Sequence, residues 1–243
     1  MEEMVTRTVG EIAAAIPAST RVFEKLGIDY CCGGHRSLVD ACSAAKISVD
    51  YVRGMLEATT MGPAESTTAD AWAKKDLREL ITHIVTTHHR FTRDELERLD
   101  ALVAKVVGVH GTNHPELRKI AQVFARLRED LLPHMMKEED ILFPFVEQME
   151  SALESGDAPP PPFFGTVKNP VRMMMMEHDA AGDMIRELRT LSNDFTPPED
   201  GCMSYRTLYS ALADFEADLH QHIHLENNIL FPRSIEMEER GEV

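Results

Sequence analysis

An all-α fold is predicted by three observations. Apolar residues recur at helical spacing along four long stretches, Gly- and Pro-rich connections separate those stretches, and one eleven-residue segment occurs twice. Four long helices joined in this way describe a four-helix bundle, here preceded by a small helical domain. The 243 residues, 43% of them hydrophobic, are enough to fill such a core. No run approaches the roughly 18 apolar residues of a membrane span, and the acidic first ten residues do not read as a signal peptide, so a cytoplasmic protein is expected. With 25 basic and 41 acidic residues the net charge is −16, which argues against a nucleic-acid partner and favours cations.

Residues 1–58 read as short helices. Thr8 and Glu11 form a capping box ahead of Val9, Ile12, Ala13 and Ile16; Pro17 interrupts, and Val22, Phe23 and Leu26 mark a second helix stopped at Gly27. Asp29-Tyr-Cys-Cys-Gly-Gly34 is a loop by composition. Ser37 and Ser48 are N-caps for two further helices carrying Leu38, Val39, Val52, Met55 and Leu56. Residues 59–71 lack periodicity and read as a linker.

The bundle, expected over 72–237, begins with a stripe from Leu77 to Val103 that lasts about seven turns before Gly108–Pro115 interrupts it. Leu117–Val146 is the second long helix, with Pro133 expected to kink or break it. Pro159–Pro162 lie in the next loop, Val171–Leu191 is the third helix, Thr196–Gly201 a turn, and Tyr205–Ile235 the fourth helix.

The repeat lies on helices two and four. His134-Met-Met-Lys-Glu-Glu-Asp-Ile-Leu-Phe-Pro144 returns as His222-Ile-His-Leu-Glu-Asn-Asn-Ile-Leu-Phe-Pro232, with Asp130 and Leu131 matching Asp218 and Leu219. Helices one and three align likewise, His89, Leu96 and Leu99 against His178, Ile185 and Leu188. A His and a Glu four apart share one helix face a turn apart, so each copy offers an imidazole nitrogen and a carboxylate to one point. Four nitrogens and two carboxylates exceed what one tetrahedral zinc requires, and two metals bridged by Glu138 and Glu226 use all six. Imidazole and carboxylate without thiolate point to iron or manganese; raw affinity would favour copper or zinc, so metal supply also enters. The His-x-x-x-Glu order differs from the Glu-x-x-His of ferritin-like di-iron proteins.

These segments, with Glu177-His-Asp-x-Ala-Gly182, resemble the hemerythrin-like bundle of the iron–sulfur cluster repair di-iron proteins, the repair of iron centres family, and Asp29–Gly34 resembles their N-terminal domain. The resemblance implies a non-haem di-iron centre in which His89 and His134 serve one iron, His178 and His222 the other, and Glu138 and Glu226 bridge. Hemerythrins carry a fifth histidine, but the positions four before and four after His178 are Met174 and Gly182, which leaves exchangeable positions on the metals. The implied activity is repair of iron–sulfur clusters damaged by nitric oxide or oxidants, by supplying iron. Damaged iron–sulfur proteins, an iron donor protein, and nitric oxide or oxygen are the implied partners. Two other activities stay open: a hemerythrin-type oxygen or nitric oxide carrier or sensor, and a di-iron nitric oxide reductase or peroxidase.

His88 competes with His89 for the first-helix position, and the matched spacing favours His89. Glu177, Asp130 and Asp218 are candidates to orient the histidines or to form a cation path. Met173–Met176 cannot converge on one ion, because successive helical residues point about 100° apart, so core filling is expected. Cys31, Cys32, Cys42 and Cys202 form neither a disulfide framework nor a C-x-x-C zinc site, and adjacent Cys31 and Cys32 read as a reactive pair for redox, metal or partner exchange. His35, His83, His110, His114, His220 and His224 are expected to be exposed.

Overall fold

A computed structural model describes residues 6–60, 72, 75–159 and 161–241. Every extended regular element among them is helical, beside one isolated bridge between Thr8 and Ser37. In order the elements are α1 (Val9–Ala15), α2 (Ser19–Leu26), α3 (Leu38–Ala44) and α4 (Val49–Thr60), then α5 (Leu77–His83), π1 (Ile84–His89), α6 (Arg90–His110), α7 (Glu116–Lys137) and π2 (Glu138–Leu142). After these come α8 (Phe143–Ser155), α9 (Lys168–Leu191), α10 (Met203–Leu225), π3 (Glu226–Leu230) and α11 (Phe231–Gly241). Helix α4 runs to Thr60, two residues into the expected linker, and residues 61–71 lie outside the described residues.

The chain forms two compact units. The first contains Met1–Thr82, Phe145–Lys168 and His220–Val243. Its α1 carries the full capping box: the Thr8 hydroxyl accepts from Glu11 N and the Glu11 carboxylate accepts from Thr8 N. Gly27, at φ 64°, ends α2, a left-handed position that glycine adopts without a Cβ clash. Val9, Ile12, Phe23, Leu38 and Leu56 are fully buried. Glu150 caps the start of α5, accepting from Leu77 N at 2.7 Å and Arg78 N at 3.0 Å, so an anion sits on the positive end of that helix.

The second unit, His83–Pro144 and Asn169–Leu219, holds π1, α6, α7, π2, most of α9 and most of α10. The repeat is visible in its core, where Leu127 on α7 and Phe215 on α10, at matching positions, are both fully buried, as are Leu99 and Ile120. Pro133 neither breaks nor ends α7. It stands on the exposed side, and Glu129, whose carbonyl loses its donor, is exposed too, so water can take the place of the lost bond.

Widened turns appear instead at the repeated segments. π2 and π3 begin on Glu138 and Glu226, and in each the following Phe, Phe143 or Phe231, donates its backbone N–H back to that glutamate's carbonyl. Pro144 and Pro232 come next and have no N–H to give; a turn holding one extra residue accommodates the missing donor. Of the methionine run, Met174 alone is buried, whereas Met173, Met175 and Met176 are 51%, 42% and 62% exposed. Core filling therefore applies to one of the four, because a single helix face meets the core.

Candidate metal centre

Within the second unit four helical segments bring a nitrogen or carboxylate to one buried place. His89 ends π1, His134 lies on α7, Glu138 opens π2 and His178 lies mid-α9; their exposures are 0%, 2%, 0% and 1%. Glu138 Oε2 is 3.4 Å from His89 Nε2, and Oε1 is 3.3 Å from His134 Nε2 and 3.9 Å from His178 Nε2. One carboxylate thus turns its two oxygens toward different imidazoles. His134 Nε2 and His178 Nε2 are 3.0 Å apart. The resemblance implied His89 with His134; in the structure the inner nitrogen of His134 lies against that of His178.

The outer ring nitrogens of His89 and His134 are held by carboxylates. His89 Nδ1 pairs with Glu139 at 2.6 Å, and Arg93 binds the same carboxylate oxygen at 2.8 Å. His134 Nδ1 pairs with Glu177 at 2.8 Å, and Lys137 grips the other Glu177 oxygen. The His134 contact, supported by Lys137, holds the Glu177 carboxyl below the usual carboxylate range. A proton on Nδ1, facing an ionised carboxylate, leaves a lone pair on Nε2, and that lone pair points inward. The inner nitrogens of His134 and His178, 3.0 Å apart beside a fully buried carboxylate, form a donor cluster that a cation would neutralise. Nitrogen and oxygen donors without sulfur suit iron or manganese.

In the first unit, on the last turn of α10 and the start of π3, His222 and Glu226 are buried to 1% and 0%, with His222 Nε2 3.0 Å from Glu226 Oε1. This pair matches His134 and Glu138 in sequence, burial and turn type.

The remaining expected residues are placed as follows. His88 is buried but turned elsewhere, its Nδ1 3.0 Å from Asp218 Oδ1, while the neighbouring His89 faces Glu138. Asp218 therefore orients His88. Asp130 is on the exposed side of α7, and Glu177 from α9 takes the ring nitrogen it was expected to reach. Pairing of His89 with Glu139 was not anticipated, although Glu139 follows the ligand glutamate directly and its place in the second copy is held by Asn227.

His224 corrects the expectation of exposure. It is fully buried, its Nδ1 is 2.9 Å from Asn228 Nδ2, its ring meets the edge of Tyr30, and burial pushes its pKa down to about 4. His83, His110, His114 and His220 are part-buried and engaged, and His35 is exposed.

The Cys31 and Cys32 loop belongs to the first unit and rests on π3. Asn227 and Asn228 donate to the carbonyls of Cys31 and Tyr30 at 3.4 and 3.1 Å, and Gln221 donates to the Tyr30 hydroxyl at 2.6 Å. A Cβ on Gly34 would stand 2.7 Å from Tyr30 O and 2.8 Å from Asn228 Oδ1, so the loop approaches π3 more closely than any side chain at that position allows.

Among the described residues no helix is long and apolar enough to cross a membrane. Residues 80–234 match the hemerythrin HHE cation binding domain, and residues 5–60 match a domain of unknown function, DUF542. The chain is 34% identical over 236 residues to the iron–sulfur cluster repair protein YtfE of Yersinia pseudotuberculosis serotype IB (strain PB1/+), covering 97% of this chain and 98% of that protein. Identity and coverage are the same for the protein of that name from Yersinia pestis (strain Pestoides F). The chain belongs to the hemerythrin-like iron–sulfur cluster repair protein family.

Proposed function

We propose that this protein holds two non-haem iron ions through His89, His134, Glu138, His178, His222 and Glu226, and uses them to repair damaged iron–sulfur clusters. The observation that carries the reading is Glu138, fully buried, with one oxygen toward His89 and the other toward His134 and His178. A carboxylate so disposed suits a bridge between two metal positions. His134 and His178 then serve one iron, which leaves His89 and His222 for the other, and the repeat assigns Glu226 the second bridging role. The iron supplies exchangeable coordination and redox chemistry when bound.

The chain's own residues hold and release it. Glu139 and Glu177 fix the ring orientation of His89 and His134 and keep Nε2 available. Buried Gly182 stands where a fifth histidine would be needed to close the site, so the iron is held by fewer bonds than in a closed cage and can be given up. The N-terminal module ends with α4, and the iron-holding bundle is assigned to 72–237. The activity is assigned to the cytoplasm, with damaged iron–sulfur proteins as clients, an iron donor protein upstream, and nitric oxide or oxygen as small ligands.

The test is iron per purified chain, followed by mixing with an enzyme whose cluster has been removed. About two irons per chain are expected, with loss of iron from this protein matching recovery of the client's activity. A pair of irons retained while the client stays inactive would overturn repair by donation and favour a carrier.

A further inference from the structure

We propose that Asp29, Cys31 and Cys32 form a separate three-donor site for a divalent transition metal, open at its fourth position. The three residues lie in one loop of the first unit, and a ligand atom from each lies within 4.8 Å of the other two. Cys31 Sγ is 3.9 Å from Cys32 Sγ and 3.5 Å from Asp29 Oδ1. A tetrahedral ion with metal–sulfur bonds of about 2.3 Å and a metal–oxygen bond of about 2.0–2.1 Å has sulfur–sulfur edges of about 3.8 Å and sulfur–oxygen edges of about 3.6 Å. Both distances match those edges before any metal is added.

The loop is built to keep this spacing. Asp29 Oδ1 accepts from Gly33 N at 2.9 Å, which aims the carboxylate back at the thiols. Asn227 and Asn228 pin the carbonyls of Cys31 and Tyr30, and Gly34 admits the close approach that this requires. Cys31 is buried and Cys32 is half-buried, so an ion enters from the Cys32 side. No disulfide joins Cys31 to Cys32, and a bond between such neighbours would have to distort the backbone.

Binding is a proton exchange: a divalent ion replaces the two thiol protons, forming two metal–sulfur bonds and one metal–oxygen bond and releasing two protons. The neighbouring Cys32 sulfur, burial and the Asp29 carboxylate together push the Cys31 thiol well above its ordinary value. Three protein donors and one open position are the pattern of sites that keep an exchangeable position, in contrast to closed four-donor structural sites. Use of this site as a stopping point for iron rests on the repair reading; the binding does not.

The test adds cobalt(II) to the iron-loaded full chain and follows the difference spectrum for the near-ultraviolet thiolate-to-cobalt charge-transfer band, which the nitrogen and oxygen donors of the bundle do not produce. One equivalent of cobalt is expected to develop the band, and X-ray absorption at the cobalt edge should show two sulfurs at about 2.3 Å. Cys31→Ser and Cys32→Ser should each cut the band about twofold or more and reduce the cobalt shell from two sulfurs to at most one, while leaving iron content unchanged. Asp29→Asn should keep the band and weaken cobalt binding about tenfold. Absence of a sulfur shell in the unsubstituted chain, or an undiminished band and two-sulfur shell in either serine variant, would overturn the site, and unchanged affinity in Asp29→Asn would remove the carboxylate from it. None of these readouts depends on repair activity, so failure here and failure of the repair reading are told apart.

Discussion

His134 Nε2 and His178 Nε2 approach to 3.0 Å, two buried imidazoles on α7 and α9 aimed at the same point. With the outer nitrogen of His134 committed to Glu177, the inner nitrogens of the two rings are placed to hold a cation between them.

Metal removal should therefore lower stability. A ligand that binds only the folded chain stabilises it by about 2.7 kcal/mol at a hundred times its dissociation constant. Calorimetry of the chelator-treated protein should show a melting temperature several degrees lower, restored by iron(II). An unchanged melting curve would mean that the cavity is already neutralised without metal.

Glu138→Ala and Glu226→Ala should each abolish the coupled metal pair, because each removes the carboxylate assigned to span both positions. Iron content and magnetic susceptibility read this directly. Two coupled irons surviving in either variant would reassign the bridge.

Glu139→Gln and Glu177→Gln leave every assigned ligand in place but weaken the hold on His89 and His134. Iron affinity, measured by competition with a chromophoric chelator, should fall about 10- to 100-fold. Iron content at saturation should be unchanged, which separates loss of orientation from loss of a ligand.

Cys202 is exposed, lies just before α10, and has its sulfur 3.1 Å from His110 Nε2. The His110 contact, then the backbone N–H groups of Tyr205 and Ser204, lower its pKa from 9.0 to about 7. Its alkylation by iodoacetamide should rise with pH through a midpoint near 7, since the reactive thiolate forms above the pKa. In His110→Gln the midpoint should move upward; a midpoint that stays put would show that the histidine has no part in it.

The bundle was legible because hydrophobic period and the doubled segment both report helix faces, and the six ligand candidates followed from the same period. How they group was not legible. The repeat relates His89 to His178 and His134 to His222, and it is satisfied equally whether His134 is grouped with His89 or with His178, so spacing could not choose. The short contact between His134 and His178 depends on how α7 and α9 face each other, which no local pattern encodes. Asp130 misled because one helical turn was counted as proximity, whereas the partner of the outer nitrogen came from another helix. Pro133 misled because proline was weighed without its exposure, and it is the exposed placement that makes it tolerable. His224 looked like a surface residue because its covering comes from Tyr30 and Asn228, one of them remote in sequence.

The widened turns at Glu138 and Glu226 also bear on how this chain arose. Each carries one residue more than an ordinary helical turn, at the same place and before the same Phe-Pro pair, in two halves that otherwise differ at many positions. A helix pair that was duplicated would carry one such turn into both copies, which fits the matching register of the two segments. Deleting one residue from either turn would swing everything after it by about 100° while leaving the preceding His-Glu pair untouched.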